Sequence, residues 1–400
     1  MIREIQIKNF KSLDDVTLEL GRVNVLIGAN GCGKTNILEA ICLGGAAAAN
    51  KLDNEYLAPR GIRYATPREM RSGFSLENLE KPIELNLTNE DNEKTSIRFN
   101  EIPGAFPKLD VKLDARFLNE IVFRKNDSTR EYLKSIIQSI QDQYGTLEFS
   151  SPVEPNKKIT LSIENLNSLI LPSSLNIKHF DFLELNDFLI YCPDPITVRR
   201  LEDEERTLPL GINGAGLFRL LQKFSPEEMA EVKTHLRVID WFDDFEMPDN
   251  LIPGERRLRI KDQYLAEGLQ FFEQRVANEG FLFLLFYLCL FISKHTPKFF
   301  AIDNLDNGFN PKLCAYTAKT LCELAKTHDK QAIITTHNPS VLDGLDLKDD
   351  ENRLFVVYRN IEGRTRIRRI LPKDQPPDEP PVRLSEAFLR GYIGGLPDNF

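Results

Sequence analysis

The stretch GANGCGKT, residues 28–35, constrains the fold of this chain more than any other feature of its sequence. It matches the pattern G-x-x-x-x-G-K-[S/T] and lies between an apolar run that indicates a buried strand, Val23–Ile27, and a run of helix-forming residues that begins at Lys34. Glycines let backbone N–H groups close around phosphates, and the N-terminus of the next helix adds a partial positive charge. Because a chance glycine-rich turn would not combine all four fixed positions with this context, the stretch predicts a phosphate-binding loop.

The side chains of this loop predict how it binds a nucleotide. We expect Lys34 to reach the β- and γ-phosphates of ATP and Thr35 to ligate Mg²⁺. The predicted cofactors are therefore ATP and Mg²⁺. The other residues of this segment that we expect to contact the nucleotide are Asn30, Gly31, Cys32, Gly33 and Asn36.

Two further apolar runs in the second half of the chain end in polar residues. Phe299–Ile302 is followed by Asp303, which we expect to hold Mg²⁺ through water, opposite Thr35. Residues 333–337 form a run that ends in His337, and the carboxyl ends of parallel strands are where α/β proteins bind ligands. An isolated histidine is usually structural, but at a strand tip beside two threonines we favour a contact with the γ-phosphate.

The overall composition bounds the class of protein. The chain has 42% hydrophobic and 28% charged residues, as in a globular protein, and its net charge of −9 gives no general attraction to DNA or to an anionic membrane. Its six cysteines form no C-x-x-C pair, which favours reduced thiols and no zinc site. No signal peptide precedes the first strand, and the most apolar run, residues 281–292, is shorter than the roughly 20 residues of a membrane span. We therefore expect a cytoplasmic protein without a membrane partner.

The hydrophobic pattern predicts several further elements. Residues 1–20 alternate and break near Lys11, which indicates a hairpin, and residues 82–101 indicate a second hairpin with a polar turn. Residues 256–263 are predicted to form a strand, and residues 265–292 a helix.

Four segments carry a resemblance to a known family: residues 7–13, 25–41, 301–311 and 334–343. On these segments, about half of the chain, the sequence resembles the ATP-binding-cassette-type ATPases of the RecF, SMC and OLD group. The resemblance implies an α/β P-loop NTPase fold, with a twisted mixed sheet like an SMC head, an antiparallel β lobe and an inserted α/β region. A coiled coil and a nuclease domain are not expected.

The order of these segments implies a domain organisation, because the family's ATPase head is split by an insertion. Residues 1–100 would be its N-terminal half, and residues 101–230 an inserted mixed α/β region. Residues 231–371 would be the C-terminal half, and residues 372–400 a Pro-rich linker and a terminal helix. Within the insertion, residues 130–144 are predicted to form an amphipathic helix.

The same resemblance implies roles for residues of the second half. Asp303 corresponds to the family's Mg²⁺-supporting aspartate and His337 to its switch histidine. Residues 277–281 take the place of the signature motif, with Asn278 in place of its serine and Gly280 retained. Because that motif clamps the γ-phosphate held by another subunit, the resemblance implies a homodimer or a higher homo-oligomer. The family's glutamine loop has no assigned position.

Asn304 stands where the family has the glutamate that polarises the attacking water. An amide does not accept a proton, and general-base assistance is worth about 10²–10⁴-fold. Phosphoryl transfer depends more on positioning and charge neutralisation, so slow hydrolysis is expected to remain. The predicted catalytic residues are Asn304 and His337, with Asp306 as an open alternative base.

Two functions stay open. The preferred one is an ATPase that dimerises on ATP and controls or scaffolds a separate effector, encoded nearby, in anti-phage defence. The alternative is a DNA-repair or recombination ATPase that grips DNA, and DNA or a phage component stays open as a ligand. An ATPase of a membrane transporter is disfavoured, because its signature would resemble LSGGQ and its catalytic glutamate would be retained. Two basic clusters could hold nucleic acid, but a solvated face is preferred for both: Arg257, Arg259 and Lys261, and Arg364, Arg366, Arg368 and Arg369.

Overall fold

The computed structural model describes residues 1–49, 51–63, 65–102, 108–115, 146–150, 158–162, 185–203, 209–248, 255–372 and 382–396. Within them the strands are β1 Ile2–Phe10, β2 Leu13–Glu19, β3 Val23–Ile27, β4 Ile83–Asn89, β5 Lys94–Ile102, β6 Lys108–Ala115, β7 Thr146–Ser150, β8 Lys158–Ser162, β9 Ile190–Tyr191, β10 Phe242–Glu246, β11 Arg259–Asp262, β12 Phe271–Glu273, β13 Phe299–Ile302, β14 Gln331–Thr336, β15 Asn352–Arg359 and β16 Thr365–Ile370. The α-helices are α1 Lys34–Ala48, α2 Asn54–Leu57, α3 Leu76–Glu80, α4 Pro195–Arg200, α5 Leu217–Leu221, α6 Pro226–Leu236, α7 Glu279–Ile292, α8 Pro311–Thr327 and α9 Leu384–Leu389. Short 3₁₀-helices are Ala58–Arg60, Gln274–Val276 and Pro339–Gly344.

The central sheet has the order β16-β15-β3-β14-β13-β9. Its five strands from β15 to β9 are parallel, and β16 joins the edge antiparallel to β15. Strands β3, β13 and β14 are buried along their whole length because side chains cover both faces of the sheet. Their carboxyl ends, and the residues that follow them, therefore meet at one edge.

Two apolar cores cover the faces of this sheet. One core contains α7, which is buried from Gly280 to Ile292 because it packs between the sheet and its neighbouring helices. The other core contains α1, which fills the space between the central sheet and a second, seven-stranded sheet. The apolar run of residues 281–292 is thus a core helix, as the sequence predicts.

The seven-stranded sheet has the order β2-β1-β4-β5-β6-β7-β8 and is antiparallel except between β6 and β7. In β2 and β4, buried and more exposed residues alternate, so that one face packs on the core and the other faces solvent. The two predicted hairpins are present as β1–β2 and β4–β5. The fold class predicted from the sequence, with its antiparallel lobe, is confirmed.

The helix predicted over residues 265–292 is wrong in its first half. The chain instead turns at Gly268, which has a φ of +88°, and forms β12, the edge strand of a small sheet with β10 and β11. Phe272 on β12 packs against Trp241, with ring centroids 5.6 Å apart, so burial of this aromatic pair outweighs the helical pattern. The helix α7 begins only at Glu279.

The domain boundaries stay predictions. Strand β9 lies in the central sheet, although it falls within the segment 101–230 that the sequence assigns to an insertion. The helix predicted over residues 130–144 lies outside the described residues, as does most of the Pro-rich linker.

Candidate functional site

The glycine-rich loop joins β3 to α1 at the carboxyl edge of the central sheet. Gly31 and Gly33 have φ values of +72° and +113°, a region that residues with a Cβ rarely adopt. A Cβ on Gly33 would also lie only 2.3 Å from Thr365 Oγ1. Asn30 and Gly31 are exposed at the tip of the loop, whereas Cys32 and Gly33 are buried against the sheet. The loop therefore has the tight backbone curl that the sequence predicts.

The Lys34 side chain folds back over this loop. Its ammonium group donates to Gly28 O at 2.8 Å and to Ala29 O at 3.1 Å. Burial lowers the pKa of Lys34, and the neighbouring Cys32 and Asp303 partly oppose this shift. The ammonium group thus lies within the curl of the loop, where it can meet a phosphate.

Thr35 and Asp303 meet at the sheet edge, where two hydroxyl groups orient the carboxylate. Thr35 Oγ1 donates to Asp303 Oδ2 at 3.2 Å, and Thr335 Oγ1 donates to Asp303 Oδ1 at 2.5 Å. Oxygen ligands of this kind suit Mg²⁺, which is usually held by one or two carboxylates together with substrate phosphates. The described residues accordingly contain no cluster of three or more His, Cys, Asp or Glu side chains that could cage a metal alone.

Asn304 begins the turn that follows β13. Its φ is +58°, and its N–H donates to Thr335 Oγ1 at 2.9 Å. Asparagine adopts this left-handed region more readily than most residues with a side chain. The backbone conformation thus suits the residue that replaces the expected glutamate. The side chain is partly exposed at the edge that carries Asp303.

Asp306 is bound to the tip of β14. Its Oδ1 accepts from Thr336 Oγ1 at 2.6 Å and from the His337 N–H at 3.2 Å. These contacts give Asp306 a role in holding the His337 turn through Oδ1. Its role as an alternative base stays a prediction.

His337 lies at the same edge and is exposed to solvent. Partial desolvation and the charge of Lys34 lower its pKa, while Asp306 and Asp303 oppose this shift. A neutral imidazole is therefore expected at neutral pH, able to donate one hydrogen bond to a phosphate.

Asn278 and Gly280 lie at the N-terminus of α7. Asn278 Oδ1 accepts from the Phe281 N–H at 2.8 Å and so caps the helix. A Cβ on Gly280 would lie 3.1 Å from Gly308 O, so the signature-like segment packs closely against the loop after β13. Asn278 is exposed, and its amide Nδ2 is not used by the cap. This helix end can therefore receive an anion from outside the chain.

The sequence analysis missed a charged cluster beside α1. Arg63 Nε donates to Glu39 Oε1 at 2.6 Å, Lys11 Nζ donates to Glu39 Oε2 at 2.5 Å, and Arg63 also donates to Asn36 Oδ1 at 3.2 Å. Burial would raise the pKa of Glu39, but these hydrogen bonds outweigh it and keep the pKa below its usual value. The only signal was a glutamate within an apolar helix, because a buried carboxylate needs partners.

The two basic clusters are ion-paired, which supports the solvated face that the sequence analysis preferred. Arg259 pairs with Glu246 at 2.8 Å and Lys261 with Asp243 at 2.6 Å. The remaining pairs are Arg257 with Glu255 and Glu273, Arg364 with Asp14 and Glu362, and Arg369 with Asp350 and Glu19. Arg366 and Arg368 donate to the backbone oxygens of Thr365 and Ile393.

The sequence of this chain matches models of two known domain families. A sequence model described as "AAA domain, putative AbiEii toxin, Type IV TA system" matches residues 23–343, and an "AAA ATPase domain" model matches residues 1–44. The first match spans more than half of the chain and includes both the P-loop and the His337 turn. The chain therefore belongs to this family of AAA-domain ATPases, and the sequence-based resemblance is confirmed.

Individual relatives match shorter stretches. An OLD nuclease of Thermus scotoductus is 49% identical over 43 residues, which are 11% of this chain and 8% of that protein. The DNA replication and repair protein RecF of Allorhizobium ampelinum is 28% identical over 163 residues, or 36% of this chain and 40% of RecF. The chain thus spans less than half the length of these curated relatives.

Among solved structures, the SMC head domain from Thermotoga maritima aligns with a TM-score of 0.47 and 14% identity, over 92% of this chain and 98% of that one. An SMC head bound to the C-terminal winged-helix domain of ScpA aligns with a TM-score of 0.48, also at 14% identity, over 92% of this chain and 97% of that one.

Over the described part of the chain, no helix has both the length and the apolar character needed to cross a bilayer.

Proposed function

We propose that this ATPase binds MgATP at the P-loop, hydrolyses it slowly, and uses the long-lived ATP-bound dimer to control a separate effector protein. The observation that carries the proposal is the edge at which Thr35, Asp303 and His337 converge while Asn304 replaces the general base. We propose that Thr35 and Asp303 hold the metal there and that His337 contacts the phosphate. The position of the general base, which would accept the proton of the attacking water, is taken by the amide of Asn304.

Within this proposal, each side chain has one task. Lys34 neutralises the phosphates, and Thr35 and Asp303 hold Mg²⁺. Neutral His337 donates to the γ-phosphate, and Asn304 orients the attacking water without taking its proton.

The proposed dimer is supported by the exposed Asn278 at the N-terminus of α7. Asn278 exposes an amide donor that the cap does not use, and it lies at the positive end of the helix dipole, so that it would complete the γ-phosphate site of a second copy. A chain that hydrolyses slowly would dwell in this closed state.

The separate effector and the role in anti-phage defence are the most specific parts of the proposal. The description of the matching family model, a putative AbiEii toxin of a type IV TA system, supports a toxin-related setting, and the separate effector and the role in defence stay predictions. The RecF relatives, named as DNA replication and repair proteins, support the alternative of an ATPase that grips DNA.

The test is single-turnover hydrolysis by purified protein, with Asn304→Glu beside the wild type and Lys34→Ala as the blank. We expect the wild type to retain bound ATP, and Asn304→Glu to hydrolyse it about 10²–10⁴-fold faster because a general base is restored. Fast hydrolysis by the wild type would contradict the proposal and would mean that another residue, such as Asp306, acts as the base. A rate that rises strongly with duplex DNA would favour the alternative.

A further inference from the structure

Three side chains from distant parts of the chain meet behind the P-loop. Ser12 lies in the turn between β1 and β2, Asn36 on α1, and Thr365 at the start of β16. Asn36 Nδ2 donates to Ser12 Oγ at 2.8 Å, Ser12 Oγ and Thr365 Oγ1 are 2.7 Å apart, and Thr365 Oγ1 donates to Cys32 O at 2.7 Å. Ser12 and Thr365 are buried, so these groups have no water to replace a lost partner.

The chemistry of the two ends sets the direction of this hydrogen-bond chain. The Cys32 carbonyl can only accept, so the hydroxyl hydrogen of Thr365 points to it. The Asn36 amide nitrogen can only donate, so Ser12 Oγ accepts from it and its own hydrogen is left for Thr365 Oγ1. Each hydroxyl then both donates and accepts, which is a fully satisfied buried network.

This network controls the orientation of one peptide unit of the P-loop. In a trans peptide the C=O and the N–H point in opposite directions. Because Thr365 holds the Cys32 carbonyl on the outer side of the loop, the Gly33 N–H points to the inner side, toward the curl that contains the Lys34 ammonium group. Backbone N–H groups on this side are those that cradle the α- and β-phosphates in a P-loop.

The same hairpin holds the preceding peptide unit in the same way. Arg359, at the end of β15, donates from Nε to Gly31 O at 2.8 Å and from its guanidinium to Gly363 O at 2.8 Å. The β15–β16 hairpin therefore binds two successive carbonyls of the loop from outside, at Gly31 and Cys32. Arg359 is exposed, whereas Thr365 is buried and connected to the second sheet.

We infer that Thr365, with Ser12 and Asn36, is a positioning residue for the nucleotide, holding the Gly33 N–H in its phosphate-binding orientation. The inference rests on the proposed binding of ATP at this loop. It adds that tight binding requires the hydrogen bonds of Ser12 and Thr365. The β1–β2 turn of the antiparallel sheet becomes part of the nucleotide site through Ser12. Neither Ser12 nor Thr365 belongs to the P-loop motif.

The decisive variant is Thr365→Val, which removes the hydroxyl group and keeps a similar shape. We expect its Kd for both MgATP and MgADP to rise by about 3- to 10-fold, the range for loss of one or two hydrogen bonds, because both nucleotides carry the α- and β-phosphates. The single-turnover rate constant at saturating ATP should change much less. Thr365→Ser, which retains the hydroxyl, should bind as the wild type does.

A matched control is Thr317→Val on α8. Thr317 is also fully buried, but its hydroxyl group has no hydrogen-bond partner among the described residues, so its removal should leave both Kd values unchanged. In a double-mutant cycle, Ser12→Ala and Thr365→Val should not add, because each breaks the same chain. Should Thr365→Val fail to fold, Ser12→Ala alone decides, and we expect a smaller rise of about 2- to 3-fold.

The outcomes separate the two proposals. If the wild type binds nucleotide no better than Lys34→Ala, the proposed function fails. If the wild type binds well and Thr365→Val or Ser12→Ala binds equally well, only the positioning role is overturned. The same holds if Thr365→Val lowers the saturated rate constant and leaves both Kd values unchanged.

Discussion

At the scale of single residues, the site is arranged by short side chains at the ends of strands. Thr335 holds both the Asp303 carboxylate and the Asn304 N–H, and Asp306 holds the His337 turn. These bonds fix the positions of the carboxylate and the imidazole that we propose to support Mg²⁺ and to contact phosphate. They also explain why the residue after Asp303 can adopt a left-handed backbone.

The pKa of His337 gives a prediction about pH. Burial and Lys34 lower that pKa below the usual value of about 6.5. Between its folded and unfolded pKa values the unfolded chain binds more protons, so the stability that His337 contributes is present above about pH 6.5 and is lost as the pH falls through the folded pKa. Thermal unfolding without nucleotide should therefore show the wild type losing more stability than His337→Gln from about pH 8 to about pH 5.

The difference in stability between the wild type and His337→Gln reports the titration of His337, because all other titrating groups are common to both proteins. Parallel curves for the wild type and His337→Gln would contradict the lowered pKa. If the stability of the wild type instead rose relative to that of His337→Gln as the pH fell, the folded protein would favour the imidazolium form. This would be the case if Asp303 and Asp306 outweighed Lys34 and burial.

At the scale of elements, the N-terminus of α7 has a structural role as a helix cap, and we propose that it also has an intersubunit role. The Asn278 cap satisfies the Phe281 N–H, and the helix behind it is buried from Gly280 to Ile292. The capping oxygen and the free amide nitrogen belong to the same side chain. Structural and intersubunit effects of a substitution can therefore be separated by choosing the replacement.

We expect Asn278→Ala to lower the free energy of unfolding by about 1 kcal/mol, because a helix loses its side-chain cap. Asn278→Asp should retain the cap, since its carboxylate still accepts from the Phe281 N–H, but it would place a negative charge toward the γ-phosphate of a second copy. Denaturant unfolding should then separate the alanine variant from the other two proteins. Association with MgATP should be weakened most in Asn278→Asp, and undiminished association would contradict the intersubunit role.

At the scale of the whole molecule, the residues of the candidate site come from both halves of the chain and lie at one edge of the central sheet. Strand β3 lies between β14 and β15, so residues about 300 positions apart share one edge. The antiparallel sheet contacts this edge through the β1–β2 turn.

The lifetime of the assembly provides a test at this scale. With MgATP the wild type should form a dimer or larger assembly that persists, whereas Asn304→Glu should return to the unassembled state as ATP is consumed. Light scattering after size separation, followed in time, measures both. Lys34→Ala should not assemble, and equal lifetimes for the wild type and Asn304→Glu would contradict an assembly held by slow hydrolysis.

Features that depend on residues close along the chain could be predicted from the sequence. The P-loop, its flanking strand and helix, and the two hairpins follow from local spacing, turn chemistry and alternation, and Asp303 and His337 follow from apolar runs that end in polar residues. The helix predicted from residue 265 was wrong because burial of Phe272 against Trp241 is a contact between separate segments.

Contacts between segments that lie far apart along the chain became evident only from the folded structure. Ser12 and Thr365 are separated by 353 positions, and Glu39 meets Lys11 and Arg63 from different elements. No periodicity or motif encodes such pairs, because they depend on how two sheets pack on either side of α1. The sequence therefore identifies the loop that binds phosphate, and the packing of the sheets decides which residues hold that loop in its binding shape.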